Sequence, residues 1–394
     1  MSHEIDTILS TLRMEVDPEL AAMFYEFEDY YEQKLWHQLT ERLNVFFHDE
    51  KSVPVRLRVY DNFVSKFQDK INQLKVVDFL LLSLSDTQDH DDSLKYLTDL
   101  QGTFKKIDEQ KQRNDGLKSH YDGNLLIDIE IARLYLKKNE LVKSRDLLDD
   151  ISSILDNHDA ISLRVTSAFY SASAEYYQLK KDFNSFYYTS LLYLSTVDPQ
   201  DAPYTFTDLE KQQLAYNLSI SALLGDKIYN FGELLHHPIM TSIEEDPQYE
   251  WLFQFLNALS NGDFAQFEKL SRERIPQVPI LSQHESFLRQ KICLMTLVES
   301  VFAKSIRTLS FEDIAVATHL PKENVEHLVM RSISLGLLKG SIDQVNELVT
   351  ITWVQPRIIN DEQVNKMRGR LIEWNDQVAK LGENMEARGK SIWV

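Results

Sequence analysis

Apolar residues recur at helical spacing through most of this chain, and that recurrence constrains its fold more than any other feature. Ile127, Ile131, Leu134 and Tyr135 follow an i, i+4, i+7, i+8 pattern, as do Leu147, Ile151, Ile154 and Leu155. Val165, Phe169, Ala172, Tyr176 and Leu179 step by four and three, and Phe183, Tyr187, Leu191 and Leu194 continue the series. Each set lines one face of a helix. Phe24, Phe27, Tyr31, Leu35 and Leu39 have helical spacing too.

The turns between these stripes resemble one another. They read Lys137-Lys138-Asn139-Glu140-Leu141, Lys180-Lys181-Asp182-Phe183, Leu224-Gly225-Asp226-Lys227 and Asn261-Gly262-Asp263-Phe264. Marked at Asn139, Asp182, Asp226 and Asp263, they lie 43, 44 and 37 residues apart. One helix pair fits each interval, with outer loops longer than a strict tetratricopeptide period of about 34 allows. The pattern predicts a mainly α chain whose residues 1–284 form a helical-repeat solenoid. Composition agrees. Eleven glycines in 394 residues are about half the usual share, fewer than a dinucleotide fold, a phosphate-loop enzyme or a β-barrel uses. The segments 86–92 and 108–123 are polar, the first acidic and the second containing Asn114-Asp115-Gly116, and both read as solvated loops.

From about residue 285 the pattern changes. Phe287, Ile292, Met295, Leu297 and Phe302 suggest one helix. Ser310 then offers an N-cap with Asp313 three residues on, opening a short helix to about Thr318. A further helix follows Pro321, and Gly336 sits where a C-terminal cap belongs. Leu337–Ile342 and Glu347–Val354 read as a hairpin, with Val349, Ile351 and Trp353 alternating against Thr350 and Thr352. Helix, helix, helix, hairpin is the order of a winged helix, here 285–358. Within 359–394, Val364, Met367, Leu371, Trp374, Val378, Leu381 and Met385 step 3, 4, 3, 4, 3, 4 along one predicted helix. Such a seam suits packing against other helices.

Charge narrows the function. Lys and Arg number 42 against 61 Asp and Glu, and the net −19 lies wholly within residues 1–290. The candidate recognition helix carries Lys322, Glu323, Glu326 and Arg331, which cancel. The wing at 343–347 has Asp343 and Glu347 and no base. A surface that reads phosphate is basic, so no nucleic-acid partner is expected. No apolar run reaches membrane-spanning length, and Met1–Asp6 has no secretory character. One cysteine precludes an internal disulfide and fits cytoplasm and nucleus.

No catalytic motif emerges. Metalloprotease, nucleophile-elbow and phosphate-loop patterns are absent; Gly336–Ser341 resembles a phosphate loop only loosely and leads into a strand. His236-His237 has no third ligand nearby. Cys293, among apolar neighbours, reads as a core residue, and a hydrolase built on either is the remaining enzymatic alternative. Glu244-Glu245 and Asp149-Asp150 read as solvated faces. No catalytic, metal or cofactor residue is assigned.

Helical repeats, a winged helix and a long terminal helix together resemble the PCI family. That family supplies scaffold subunits to the proteasome lid, the COP9 signalosome and eukaryotic initiation factor three. The segments FNSFYYTSLLYL at 183–194, SISALLGDKIYNFGELL at 219–235 and LGLLKGSIDQV at 335–345 are similar to those of non-ATPase lid subunits of fungal 26S proteasomes. The resemblance implies a right-handed, tetratricopeptide-like solenoid radiating as an arm. It also implies a non-catalytic scaffold role in ubiquitin-dependent degradation, with lid subunits of a large hetero-oligomer as partners. Those partners would meet the winged-helix edge, through Val349, Ile351 and Trp353, and the terminal seam, through a shared helix bundle. A PCI subunit of the signalosome or the initiation factor is the alternative.

Overall fold

A computed structural model describes residues 2–15, 18–85, 90–115, 121–158, 161–197, 207–303, 308–355 and 361–389. The chain forms two compact units, Met1–Phe206 and Thr207–Val394. The expected boundary at 284/285 falls inside the second.

In the first unit the described elements are helices and short 3-10 turns. Tyr121–Lys137 packs against Leu141–Asn157 and Leu163–Lys180, and the latter against Phe183–Thr196. Their turns share one device. Asn139 and Lys181 both take the left-handed conformation, with φ of 61°. The next N–H reaches back five residues, Glu140 to the Tyr135 carbonyl at 2.9 Å and Asp182 to that of Tyr177 at 3.1 Å. This Schellman closure satisfies carbonyls left over at the helix end. Lys34, with φ of 58°, does the same, since Leu35 N–H bonds the Tyr30 carbonyl at 2.9 Å.

Two expectations change here. The stripe from Phe24 to Leu39 belongs to two helices, Pro18–Glu32 and Trp36–His48, because the Lys34 turn interrupts it. Asn139 is the counterpart of Lys181, one residue before the position marked by Asp182. Asp182 then caps the following helix by accepting from Ser185 N–H at 3.3 Å. The predicted loop at 108–123 is also corrected. Helix His90–Asp115 runs to residue 115 and the next begins at Tyr121, so only 116–120, outside the described residues, separates them. In 86–92, residues 86–89 lie outside the described set. Asp91 and Asp92 occupy the first turn of that helix, where its dipole favours acids. The core is aromatic at its start: Phe24, Phe27 and Phe46 meet edge to face at 5.5–5.8 Å, and Phe47 stacks on Phe79 at 4.8 Å.

The second unit opens with Asp208–Leu224 and continues through Glu250–Asn261, Phe264–Arg274 and Glu285–Ala303. Gly262, φ 66°, repeats the Schellman closure, with Asp263 N–H bonding the Ala258 carbonyl at 2.9 Å. The turn at Leu224 does not. Gly225 has φ −67° and ψ 126°, so the carbonyls at this helix end need another donor. Lys291, buried in Glu285–Ala303, supplies it. Its ammonium donates to the carbonyls of Ala222 (2.7 Å), Leu223 (3.1 Å) and Gly225 (2.8 Å).

The winged helix has the expected order with one addition. A short strand β1 (Thr308–Ser310) precedes helices Phe311–Thr318 and Lys322–Ser334, and β2 (Leu338–Asp343) and β3 (Leu348–Val354) complete an antiparallel sheet ordered β1-β3-β2. Ser310 caps its helix, its Oγ accepting from Asp313 N–H at 3.1 Å. Gly336, φ 74°, ends the second helix in a Schellman turn. Asp361–Gly389 is the terminal helix.

Candidate interaction surfaces

The terminal helix carries the seam on one face, as its spacing requires. Every seam side chain is exposed, from 47% at Val378 to 68% at Met385. Leu371 and Trp374 at its centre are 63% and 64% exposed. Isolated exposed apolar residues are ordinary, but a contiguous row of seven on one helix face is not.

The sheet corrects the expected edge. β3 is the central strand, hydrogen-bonded on both sides, so its backbone offers no free edge. Val349 and Ile351 are 1% and 3% exposed and belong to the core. The free edge of the hairpin is β2. Trp353 behaves differently, at 41% exposure. The register pairs Lys339 with Trp353 and Gly340 with Ile351, leaving Thr352 as an extra residue in β3. Such a bulge re-aims the side chains beyond it. Trp353 leaves the alternation of Val349 and Ile351, and Lys339 Nζ lies 4.9 Å above its ring. Gly340 permits the close approach, because a Cβ there would land on the Thr350 carbonyl.

Several charges on the winged helix are engaged by neighbouring carboxylates or amides. Lys322 pairs with Glu347 and approaches Glu312 at 3.8 Å, which raises its pKa. Glu326 accepts from Gln344 at 3.1 Å, and Arg331 donates to Gln290 at 2.5 Å. At the wing, Asp343 accepts from Asn346, which holds its carboxyl below the usual range.

The groups considered for chemistry sit in structural roles. Cys293 is buried, its Sγ 3.9 Å from the Thr318 carbonyl, and burial pushes its thiol up. A thiol so placed is a poor nucleophile. His237 caps a 3-10 turn, its Nδ1 accepting from Ile239 N–H at 3.2 Å, and burial lowers its pKa. Among the described residues no cluster of His, Cys, Asp and Glu is placed to hold a metal, and no helix is long and apolar enough to cross a membrane. Glu244, Glu245, Asp149 and Asp150 are exposed.

Lys291 is the buried cation that sequence reading missed, since nothing in its neighbours marks it. Phe231, Tyr229 and Phe287 present rings 5.2–5.7 Å from its Nζ. Desolvation outweighs the attraction of Asp226 and brings it down to about 7.

Three family models match in tandem: "PSD13 N-terminal repeats" over 23–256, "PCI domain" over 261–353 and "Rpn9 C-terminal helix" over 357–389. The chain is 68% identical to the 26S proteasome regulatory subunit RPN9 of Saccharomyces cerevisiae, over 100% of this chain and 99% of that protein. It is 40% identical to the probable 26S proteasome regulatory subunit rpn9 of Schizosaccharomyces pombe, covering 93% and 92%. The 26S proteasome non-ATPase regulatory subunit 13 homolog B of Arabidopsis thaliana is 34% identical, covering 94% of each.

Proposed function

The chain belongs to the Rpn9/PSD13 family of 26S proteasome regulatory subunits, and we propose that it acts as a non-catalytic scaffold of the regulatory-particle lid. Its work is to hold neighbouring subunits in place, and so to support degradation of ubiquitylated proteins in cytoplasm and nucleus. Two surfaces serve that role. The free edge of β2, beside exposed Trp353, meets one neighbour, and the terminal helix enters a bundle with others. In this reading the repeats span 1–284, the winged helix 285–358, and 359–394 is the bundle segment.

The exposed seam carries this reading. Full burial of a large apolar side chain contributes about 1.5–3 kcal/mol. Roughly half to two-thirds of each seam side chain is still accessible. Completing the burial of all seven therefore contributes on the order of 6–12 kcal/mol gross, before ordering costs. Replacing Leu371 and Trp374 together by Asp removes about 1–2 kcal/mol at each site and sets two carboxylates in an apolar interface, a cost of several kcal/mol more. The double variant is expected to fold but to be lost from affinity-purified 26S particles. Normal incorporation would remove the seam from the interface.

A further inference from the structure

The heptad letters of the terminal helix say more than where its seam lies. With Val364 at a and Met367 at d, the positions flanking the seam, e and g, are Asp361 and Gln363 at the start of the helix, then Arg368, Arg370, Asn375, Gln377, Gly382 and Asn384. The acids Glu373, Asp376, Glu383 and Glu386 fall at b, c and f, away from any helix seated on the seam. Arg368 and Arg370 are exposed and stand on opposite flanks of Leu371. After Asp361 at the first residue of the helix, the rim is cationic at Arg368 and Arg370 and neutral from Asn375 to Asn384. In a chain of net charge −19, the rim from Met367 to Met385 carries no acid.

Flanking charges choose the partner of a helical seam, and like charges opposed there disfavour it. We infer that the terminal helix selects an amphipathic partner helix whose carboxylates bracket its seam and meet Arg368 and Arg370. This rests on the reading of the seam as a partner surface. A second copy of the chain laid parallel fits poorly. In a parallel pair a g residue faces the e residue five positions on, so Arg370 would meet Asn375 and Gln377 would meet Gly382, leaving each arginine without a carboxylate.

Two designed helical peptides test this, each with Leu at a and d, one with Glu and one with Lys at e and g. Binding to the full chain is read by fluorescence anisotropy at low salt. The Glu peptide is expected to bind about ten-fold tighter than the Lys peptide, with most of that preference lost at high salt. The double variant Arg368→Glu/Arg370→Glu should reverse the order. Leu371→Asp/Trp374→Asp should abolish binding of both. Equal binding of the two peptides, or no change of order in the arginine variant, overturns the charge selection while leaving the seam as an interface. Dimerisation of the full chain through this helix, seen by sedimentation, overturns it as well. Failure of both peptides to bind overturns the inference, and incorporation of the Leu371/Trp374 variant into 26S particles separately decides the reading beneath it.

Discussion

Lys291 makes a prediction whose sign is set by its surroundings. The ammonium is enclosed by three carbonyls and three aromatic rings, and burial lowers its pKa from 10.5 to about 7. An exposed lysine in the unfolded chain keeps a pKa near 10.4. Between these values the unfolded state binds more protons than the native state, so stability rises with pH. Below about 7 both states are protonated and the slope vanishes. Each pH unit inside the window is worth about 1.4 kcal/mol for one proton. The groups facing the ammonium or its aromatic shell are Asp226, Tyr229 and Arg331, and burial raises the Tyr229 pKa. Lys291→Met keeps the length of the side chain and removes the proton. It leaves buried carbonyls unpaired at the end of Asp208–Leu224, a destabilisation of about 1–3 kcal/mol for each group that finds no water. The two chains are compared by urea denaturation at pH 7, 8 and 9, so that every other titrating group cancels. The deficit of the variant should grow by roughly 2–3 kcal/mol across that range. A deficit constant with pH, or one that shrinks as pH rises, would refute the reasoning.

The packing of the second unit sets two further outcomes. Gly262→Ala places a Cβ 2.9 Å from Thr296 Cα at a left-handed φ of 66°. The conformation alone costs about 1–2 kcal/mol, so the melting temperature should fall, and an unchanged value would contradict the close approach. Cys293 should stay unmodified by a thiol reagent in the native chain and react once urea unfolds the second unit. Rapid native labelling would show the thiol to be accessible and reopen the question of a nucleophile.

Much of the fold was legible because helical packing writes itself into period. The stripes at 127–135, 147–155, 165–179 and 183–194 each fall within one observed helix. Period is blind to interruptions that preserve it. The Phe24–Leu39 stripe crosses the Lys34 turn unnoticed, because a Schellman turn can be closed by a lysine in the left-handed conformation with no glycine to announce it. The polar run after residue 107 reads as loop because its composition is loop-like, yet helix His90–Asp115 continues into it as far as Asp115. β1 is three residues long, too short for alternation to register. Trp353 follows strand alternation in the sequence and departs from it in space, since a bulge is set by hydrogen-bond register rather than by residue type. Lys291 is invisible for a related reason: its partners are backbone carbonyls some 66–69 residues earlier, and backbone has no sequence signature.

The candidate site shows where period stops being informative altogether. Val165, Phe169, Ala172, Tyr176 and Leu179 have the same alternation of three- and four-residue steps as the terminal seam, yet the first four are buried within the first unit while every seam residue is exposed. A stripe records that a face will be covered; it does not record by what. Two other facts decide that. In the repeats, each stripe is followed within a short turn by another stripe, and the two helices cover each other. Along the terminal seam, the flanks from Arg368 to Asn384 carry arginines, amides and a glycine where a solvent-facing helix of an acidic protein would place its carboxylates. The strict spacing has a further consequence. A straight α-helix drifts by about 20° per heptad relative to a 3.5-residue repeat, so over the three heptads from Val364 to Met385 the seam winds by roughly 60° around the helix axis. A straight partner laid along Leu371 and Trp374 would lose contact with Met385. Full coverage therefore requires the partner helices to wind with the seam in a left-handed supercoil, which a bundle of helices accommodates and a rigid groove on a folded domain does not.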